Sequence, residues 1–297
     1  MDEQRNQRKI QALVSLMDDP DDAVFRDISN QIIQFGEQSL PFLEHALENS
    51  FDATLFDRIE SLLHYIRFKV LSDDLASWFL AEEGDLLQVW LKLSSYHHPE
   101  IDSANVRQEV SAIRHDVWLE MNENLTALEQ VRVFNHVFYE LHGFRGDMDN
   151  YHDAENSHIH TVLKRRKGNP LSLGMLYMVI AQSLDIPVQG INLPEHFVLA
   201  YMGETIDTEN LQIRSDVPLF YINAFSGGAV FSAREINDFL SRLKMEPASG
   251  FMDPCNHKEI LLRMLNNLVM AYDISGHTAK KAEMESLKNQ LEKKITQ

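Results

Sequence analysis

The chain has 297 residues, 44% of them hydrophobic, and a formal net charge of −18. That length and apolar content suffice for two or three domains with real cores. Residues 1–100 hold 19 Asp and Glu against 8 Lys and Arg, a difference of −11, and this acidic balance argues against nucleic acid as a partner, because a polyanion needs a basic face to displace its counterions.

The single cysteine, Cys255, excludes an intrachain disulfide and a cysteine-based metal site within one chain. No apolar run approaches the roughly 20 residues needed to cross a bilayer, and the polar start Met1-Asp2-Glu3-Gln4-Arg5 has no signal-peptide character. A cytoplasmic protein without a membrane partner is expected.

From Arg8 to Leu93 apolar residues recur at helical spacing: Ile10, Leu13, Val14 and Met17; Val24, Phe25, Ile28 and Ile32; Leu55, Ile59, Leu62, Leu63 and Ile66. Asp19-Pro20, Gly36, Pro41 and Asn49-Ser50 punctuate them, which predicts a stack of helical hairpins over residues 1–95. The piece Phe35 to Leu43 resembles the start of a HEAT-type repeat, in a single copy. Residues 96–250 form the expected second domain. Its helical first part is broken by Tyr96-His97-His98-Pro99 and by Gly143-Phe144-Arg145-Gly146-Asp147.

The basic run Lys164-Arg165-Arg166-Lys167 suits the end of a helix, where cations complement the dipole; its sharper reading is a contact for an anion or an acidic peptide. Asn169 then reads as an N-cap, Pro170 as the first helical residue, and Ser172 lies in the first turn, where backbone N–H groups favour an anion. Leu173, Met175, Leu176, Val179, Ile180 and Leu184 make that helix apolar nearly all round, hence buried. Beyond it the period becomes strand-like: His196 heads the apolar run Phe197–Met202, and Asn223 lies in a second strand over Leu219–Phe225. Helices followed by a few strands predict a mostly helical α+β fold. Ile260 to Val269, a break at Gly276, and Met284 to Leu291 predict a closing helical hairpin over residues 251–297. Asn266-Asn267-Leu268 to Gly276, with Ala279 and Ala282 behind it, resembles a tetratricopeptide unit packed on the core.

A helix-borne nucleophile position, then a histidine, then a polar residue on the next strand is the order of a papain- or transglutaminase-type site. The stretch from Ala127 to Gly228 resembles the SirB-type branch of bacterial transglutaminase-like proteins. The resemblance rests on Gly143-Phe144-Arg145-Gly146, Tyr151, Asn156, the run Arg165 to Leu173, Leu193-Pro194-Glu195-His196-Phe197 and Phe225-Ser226-Gly227-Gly228, with Leu262 to Leu268 continuing it. It implies a transglutaminase-like core and puts Ser172 at the place of the catalytic cysteine, His196 at that of the histidine and Asn223 at that of the usually acidic third member. The family pattern has Pro-Gly-His where this chain has Pro194-Glu195-His196, and Asp-Pro-Phe where it has Asn223-Ala224-Phe225. A serine hydroxyl ionises far less readily than a thiol, and asparagine orients a histidine without stabilising its cation. Two readings follow. In one the fold is a non-catalytic protein-interaction or regulatory module that meets a protein or peptide partner, a role the resemblance links to regulation of gene expression. In the other it is a cryptic hydrolase or acyltransferase on peptide or amide substrates, with Ser172 as nucleophile, His196 as base and Asn223 as orienter.

Glu195 adjoins His196, but neighbouring strand residues face opposite ways, so it is not expected to partner that ring. His97-His98 and the group His152, His158 and His160 lack the His-Glu-x-x-His pattern, so no metal is expected. Gly168 and Gly227-Gly228 make no phosphate loop, and no cofactor is expected.

Overall fold

The computed structural model describes residues 2–81, 84–206, 213–242 and 252–295. The chain divides into two compact units, Met1–Ala81 and Glu82–Gln297.

The first unit holds α1 (Asp2–Val14), α2 (Asp22–Ile33), α3 (Leu40–Glu48) and α4 (Ala53–Leu80). Asp21 and Asp52 start α2 and α4 by accepting a backbone N–H from the following turn. The core of this unit is drawn mostly from the predicted stripes: Leu13, Met17, Ile28, Ile32, Ile59, Leu62, Leu63 and Ile66 are buried together with Leu43, while Val24 is exposed.

The second unit continues the helices with α5 (Leu86–His97), α6 (Ser103–Glu120) and α7 (Ala127–Asn135), which runs on as a π-helical turn over His136–Leu141. A two-residue parallel pair follows, β1 (Arg145–Gly146) with β2 (Lys167–Gly168), flanking α8 (Ile159–Arg165). Next come α9 (Pro170–Gln182) and the antiparallel sheet of β3 (Val188–Asn192), β4 (Phe197–Ile206), β5 (Ile213–Asn223) and β6 (Ala229–Phe231), in that spatial order. α10 (Ala233–Arg242), α11 (His257–Ile274) and α12 (Thr278–Ile295) complete the unit. The α+β, mostly helical class is as predicted.

Alternation along β4 explains its unbroken apolar run. Val198, Ala200 and Met202 face a cluster with Ile236 and Leu240 of α10, while Phe197 and Leu199 lie against Gly174 of α9. With helices on both faces, every residue of the strand from Phe197 to Met202 is buried, while Glu204 and Thr205 at its far end are exposed.

The units differ from the three predicted domains. α5, expected before a boundary near 95, belongs to the second unit. Trp90 Nε1 donates to Ser157 O at 2.7 Å, and Ser94 Oγ accepts from Ile159 N at 3.2 Å. The boundary expected at 250/251 lies outside the described residues. The α11–α12 hairpin, joined by Gly276 at φ 75°, falls in the same compact unit as the sheet. Arg263 Nη1 donates to Leu193 O at 2.8 Å and Tyr96 Oη to Glu283 Oε2 at 2.8 Å.

Candidate functional site

Asn169, extended at ψ 172°, and Pro170 open α9 as the sequence predicts, and the cap is reciprocal. Ser172 N donates to Asn169 Oδ1 at 2.9 Å, while Ser172 Oγ accepts from Asn169 N at 2.9 Å and donates to Asn169 O at 3.2 Å. Ser172 is 2% exposed. A Cβ at Gly168 would stand 2.5 Å from its oxygen, so the hydroxyl fills a slot that only glycine leaves open. A hydroxyl has one proton, and here Asn169 O holds it. Asn169 is held in turn, its Nδ2 donating to Ser157 Oγ at 3.0 Å.

His196 is exposed and precedes β4 rather than lying on it. The reason is local: Pro194 and Glu195 form a bend, and Glu195 adopts φ 61°, a left-handed conformation that ends the extended run. His196 N reaches back to Leu193 O at 3.2 Å. The opposite-face argument for Glu195 and His196 therefore does not apply, since neither is in the strand.

Asn223 is the last residue of β5. Its Oδ1 accepts from Phe225 N and Ser226 N, both at 3.1 Å, capping the tight turn Ala224–Ser226. That oxygen is the atom that would have to receive a histidine N–H.

Beside the start of α9 lies a cleft of about 860 Å³. Its walls include Asn169, Pro170 and Leu171, the bend residues Glu195 and His196, the segment from Tyr151 to Asp153, and Arg263, Asn266, Asn267 and Met270 of α11. Among the described residues, neither Ser172 nor Asn223 lines it. Of the three predicted site residues, only His196 faces the cleft.

The α11 wall is absent from the sequence-based site, although its signal is in the sequence. Arg263, Asn266, Asn267 and Met270 stand at i, i+3, i+4 and i+7, one stripe of a helix whose other face buries Leu261, Met264, Leu265 and Leu268. Arg263 is braced by Leu193 O and Asn192 Oδ1, and its guanidinium lies 5.9 Å from the Phe197 ring centroid.

Three of the four charges of the basic run are paired. Arg165 meets Asp153 at 3.0 Å, Arg166 meets Glu109 at 2.7 Å, and Lys167 lies 3.5 Å from both Asp147 and Asp149. Arg166 also takes the left-handed cap of α8 at φ 54° and stacks over Phe144 at 4.8 Å. These charges brace the β1–β2 junction.

A buried helix capped by Asn-Pro, two antiparallel strands beyond it and a cleft at its N-terminus are the parts of a transglutaminase-like core. The chain belongs to the transglutaminase-like superfamily, whose family model matches residues 104–266, more than half of the sequence. It is 26% identical over 199 residues to a UPF0162 protein of Xylella fastidiosa (strain 9a5c), covering 63% of this chain and 64% of that one. A UPF0162 protein of Vibrio cholerae is 30% identical over 146 residues, 49% of this chain and 50% of that protein. F-box only protein 21 of Mus musculus is 31% identical over 139 residues, 46% of this chain and 20% of that protein. The chain thus spans less than two thirds of the length of each of these relatives. No solved structure matches. Among the described residues no helix is long and apolar enough to cross a membrane.

Proposed function

We propose that this transglutaminase-like unit is a SirB-type protein-interaction or regulatory module of the cytoplasm, and that its cleft holds an extended segment of a protein partner without cleaving it. The observation that carries this reading is the hydroxyl of Ser172. It is buried, its proton is engaged by Asn169 O, and its oxygen accepts the Asn169 N–H. Serving as nucleophile would require breaking the cap that starts α9, and among the described residues the Ser172 hydroxyl hydrogen-bonds only Asn169. The cleft beside it is built for binding. Asn267 offers a side-chain amide, which matches a peptide backbone donor for donor and acceptor for acceptor, beside Asn266, whose Oδ1 accepts from Lys288 Nζ at 3.1 Å. Arg263 is held at its base by Leu193 O, and Leu171, Phe197 and Met270 supply apolar wall. The match to a fraction of a much longer F-box only protein supports a unit that is reused in different chains.

The test combines two readouts on the full chain. A fluorophosphonate probe should leave Ser172 unlabelled. Peptides selected from a displayed library should bind wild type and Ser172→Ala equally, and should lose affinity at least about tenfold with Asn267→Ala, about the 1.4 kcal/mol of one hydrogen bond. Labelling of Ser172, or amide hydrolysis that disappears in Ser172→Ala, would instead establish the serine-dependent hydrolase that uses His196 and Asn223.

A further inference from the structure

The two histidine groups that stand apart in the sequence meet in the fold. His98 caps the end of α5, Glu155 lies in the 3-10 turn Ala154–Ser157, and His160 is in the first turn of α8. His98 Nε2 is 3.1 Å from Glu155 Oε1. The His98 and His160 ring centroids are 4.5 Å apart. One ligand atom from each of the three residues lies within 4.8 Å of the other two. Outer contacts steady all three: Thr161 Oγ1 donates to Glu155 Oε2 at 2.8 Å and lies 3.1 Å from His160 Nε2, and Glu100 stands 3.5 Å from His98 Nδ1.

A second observation points the same way. His158, 1% exposed, packs edge-on against His98 at 4.9 Å, and neither of its ring nitrogens has a hydrogen-bond partner among the described residues. His160 Nδ1 and His97 Nε2 are likewise buried and unpartnered. Such atoms are costly to leave unpaired in a packed interior. An ordinary salt-bridged cluster would have satisfied them.

We propose that His98, Glu155 and His160 bind one divalent transition-metal ion of the zinc class through two imidazole nitrogens and one carboxylate oxygen, leaving a fourth position for water. Zinc takes this donor set, with bonds of about 2.0–2.1 Å that set tetrahedral ligand atoms about 3.3 Å apart. Small side-chain rotations close the present spacing. The ion takes the place between His98 Nε2 and Glu155 Oε1, and Glu100 and Thr161 become the outer contacts that orient its ligands. Asp153 and Ser157, on either side of Glu155, line the cleft, so the ion would stiffen that rim and tie it to α5.

Titration of untagged, EDTA-treated full-length protein with zinc chloride in a calorimeter tests this. One ion per chain is expected, Co²⁺ should give the visible bands of a four-coordinate site, and Mg²⁺ should not compete. His98→Ala, His160→Ala and the same-sized Glu155→Gln should each weaken binding by at least about tenfold, as even outer-contact losses do. The exposed His115→Ala should leave it unchanged. Glu155→Gln guards against loss by unfolding, since it keeps the volume. Absence of zinc binding, zinc binding that survives all three substitutions, or a preference for Mg²⁺ or Ca²⁺ would overturn the assignment.

Discussion

Replacing Ser172 by alanine separates a structural serine from a catalytic one, because the two roles predict opposite outcomes. The substitution removes the acceptor of the Asn169 N–H and the donor to Asn169 O in a region where Asn169 is 7% exposed. An orphaned buried N–H costs about 1–3 kcal/mol. Capping contacts measured by alanine replacement fall in the same range, about 0.5–2 kcal/mol. Alanine returns about 0.5 kcal/mol as the better helix former. The balance is a loss of about 1–2 kcal/mol, borne by the second unit. For a unit of this size each kcal/mol lowers Tm by about 2–4 °C, so a fall of about 2–8 °C is expected. Urea unfolding would give the free energy, and native-state hydrogen exchange would localise it to faster exchange of the first α9 amides. A catalytic serine poised on a histidine would behave differently: alanine would leave stability unchanged or raised and abolish turnover. An unchanged Tm with unaltered α9 exchange would refute the capping account.

Three further outcomes follow from the backbone and the half-buried thiol. Glu195→Gly should stabilise the second unit by about 0.5–1 kcal/mol, since it relieves about 1–2 kcal/mol of left-handed strain at φ 61° and returns part as unfolded-chain entropy; a less stable variant in urea would contradict this. Gly228→Ala should cost about 2–4 kcal/mol. Gly228 sits at φ 71°, and a Cβ there would strike the Asn135 amide that holds Gly228 O at 2.9 Å and the Tyr177 hydroxyl at 3.1 Å; a loss under about 1 kcal/mol would show that this corner yields. Burial, then Glu259, pushes the Cys255 thiol up to about 12, and its Sγ rests on Gly190 O at 3.2 Å. The thiolate fraction therefore climbs about tenfold per pH unit without levelling, and alkylation followed from pH 7 to 10 should do the same; a plateau near pH 9 would mean an ordinary, open thiol.

What could be read from the chain was local. The apolar stripes of α2 and α4, the Asn169-Pro170 cap and the apolar run of β4 each follow from neighbouring residues, and they stand where expected. Short strands were missed, because β3 and β6 are held by pairing with β4 and β5 rather than by a pattern of their own. The position of His196 depended on one backbone angle at Glu195. A sequence signal for it is the glycine that the family pattern carries at this place, the residue that takes φ 61° without strain. The α11 wall was written in a polar stripe, but a stripe does not say what it faces. The meeting of His98 with Glu155 and His160 has no spacing rule, since it depends on how α5 is pinned to the turn before α8 by Trp90 and Ser94.

The cleft draws one wall from Tyr151–Asp153 and the opposite one from α11, far along the chain. During synthesis the floor around α9 is complete well before α11 has left the ribosome. A nascent chain therefore lacks one wall of the groove until His257–Ile274 has emerged. A chain cut just before that helix would lose this wall and also the apolar face of Leu261, Met264, Leu265 and Leu268, which is buried within the same compact unit.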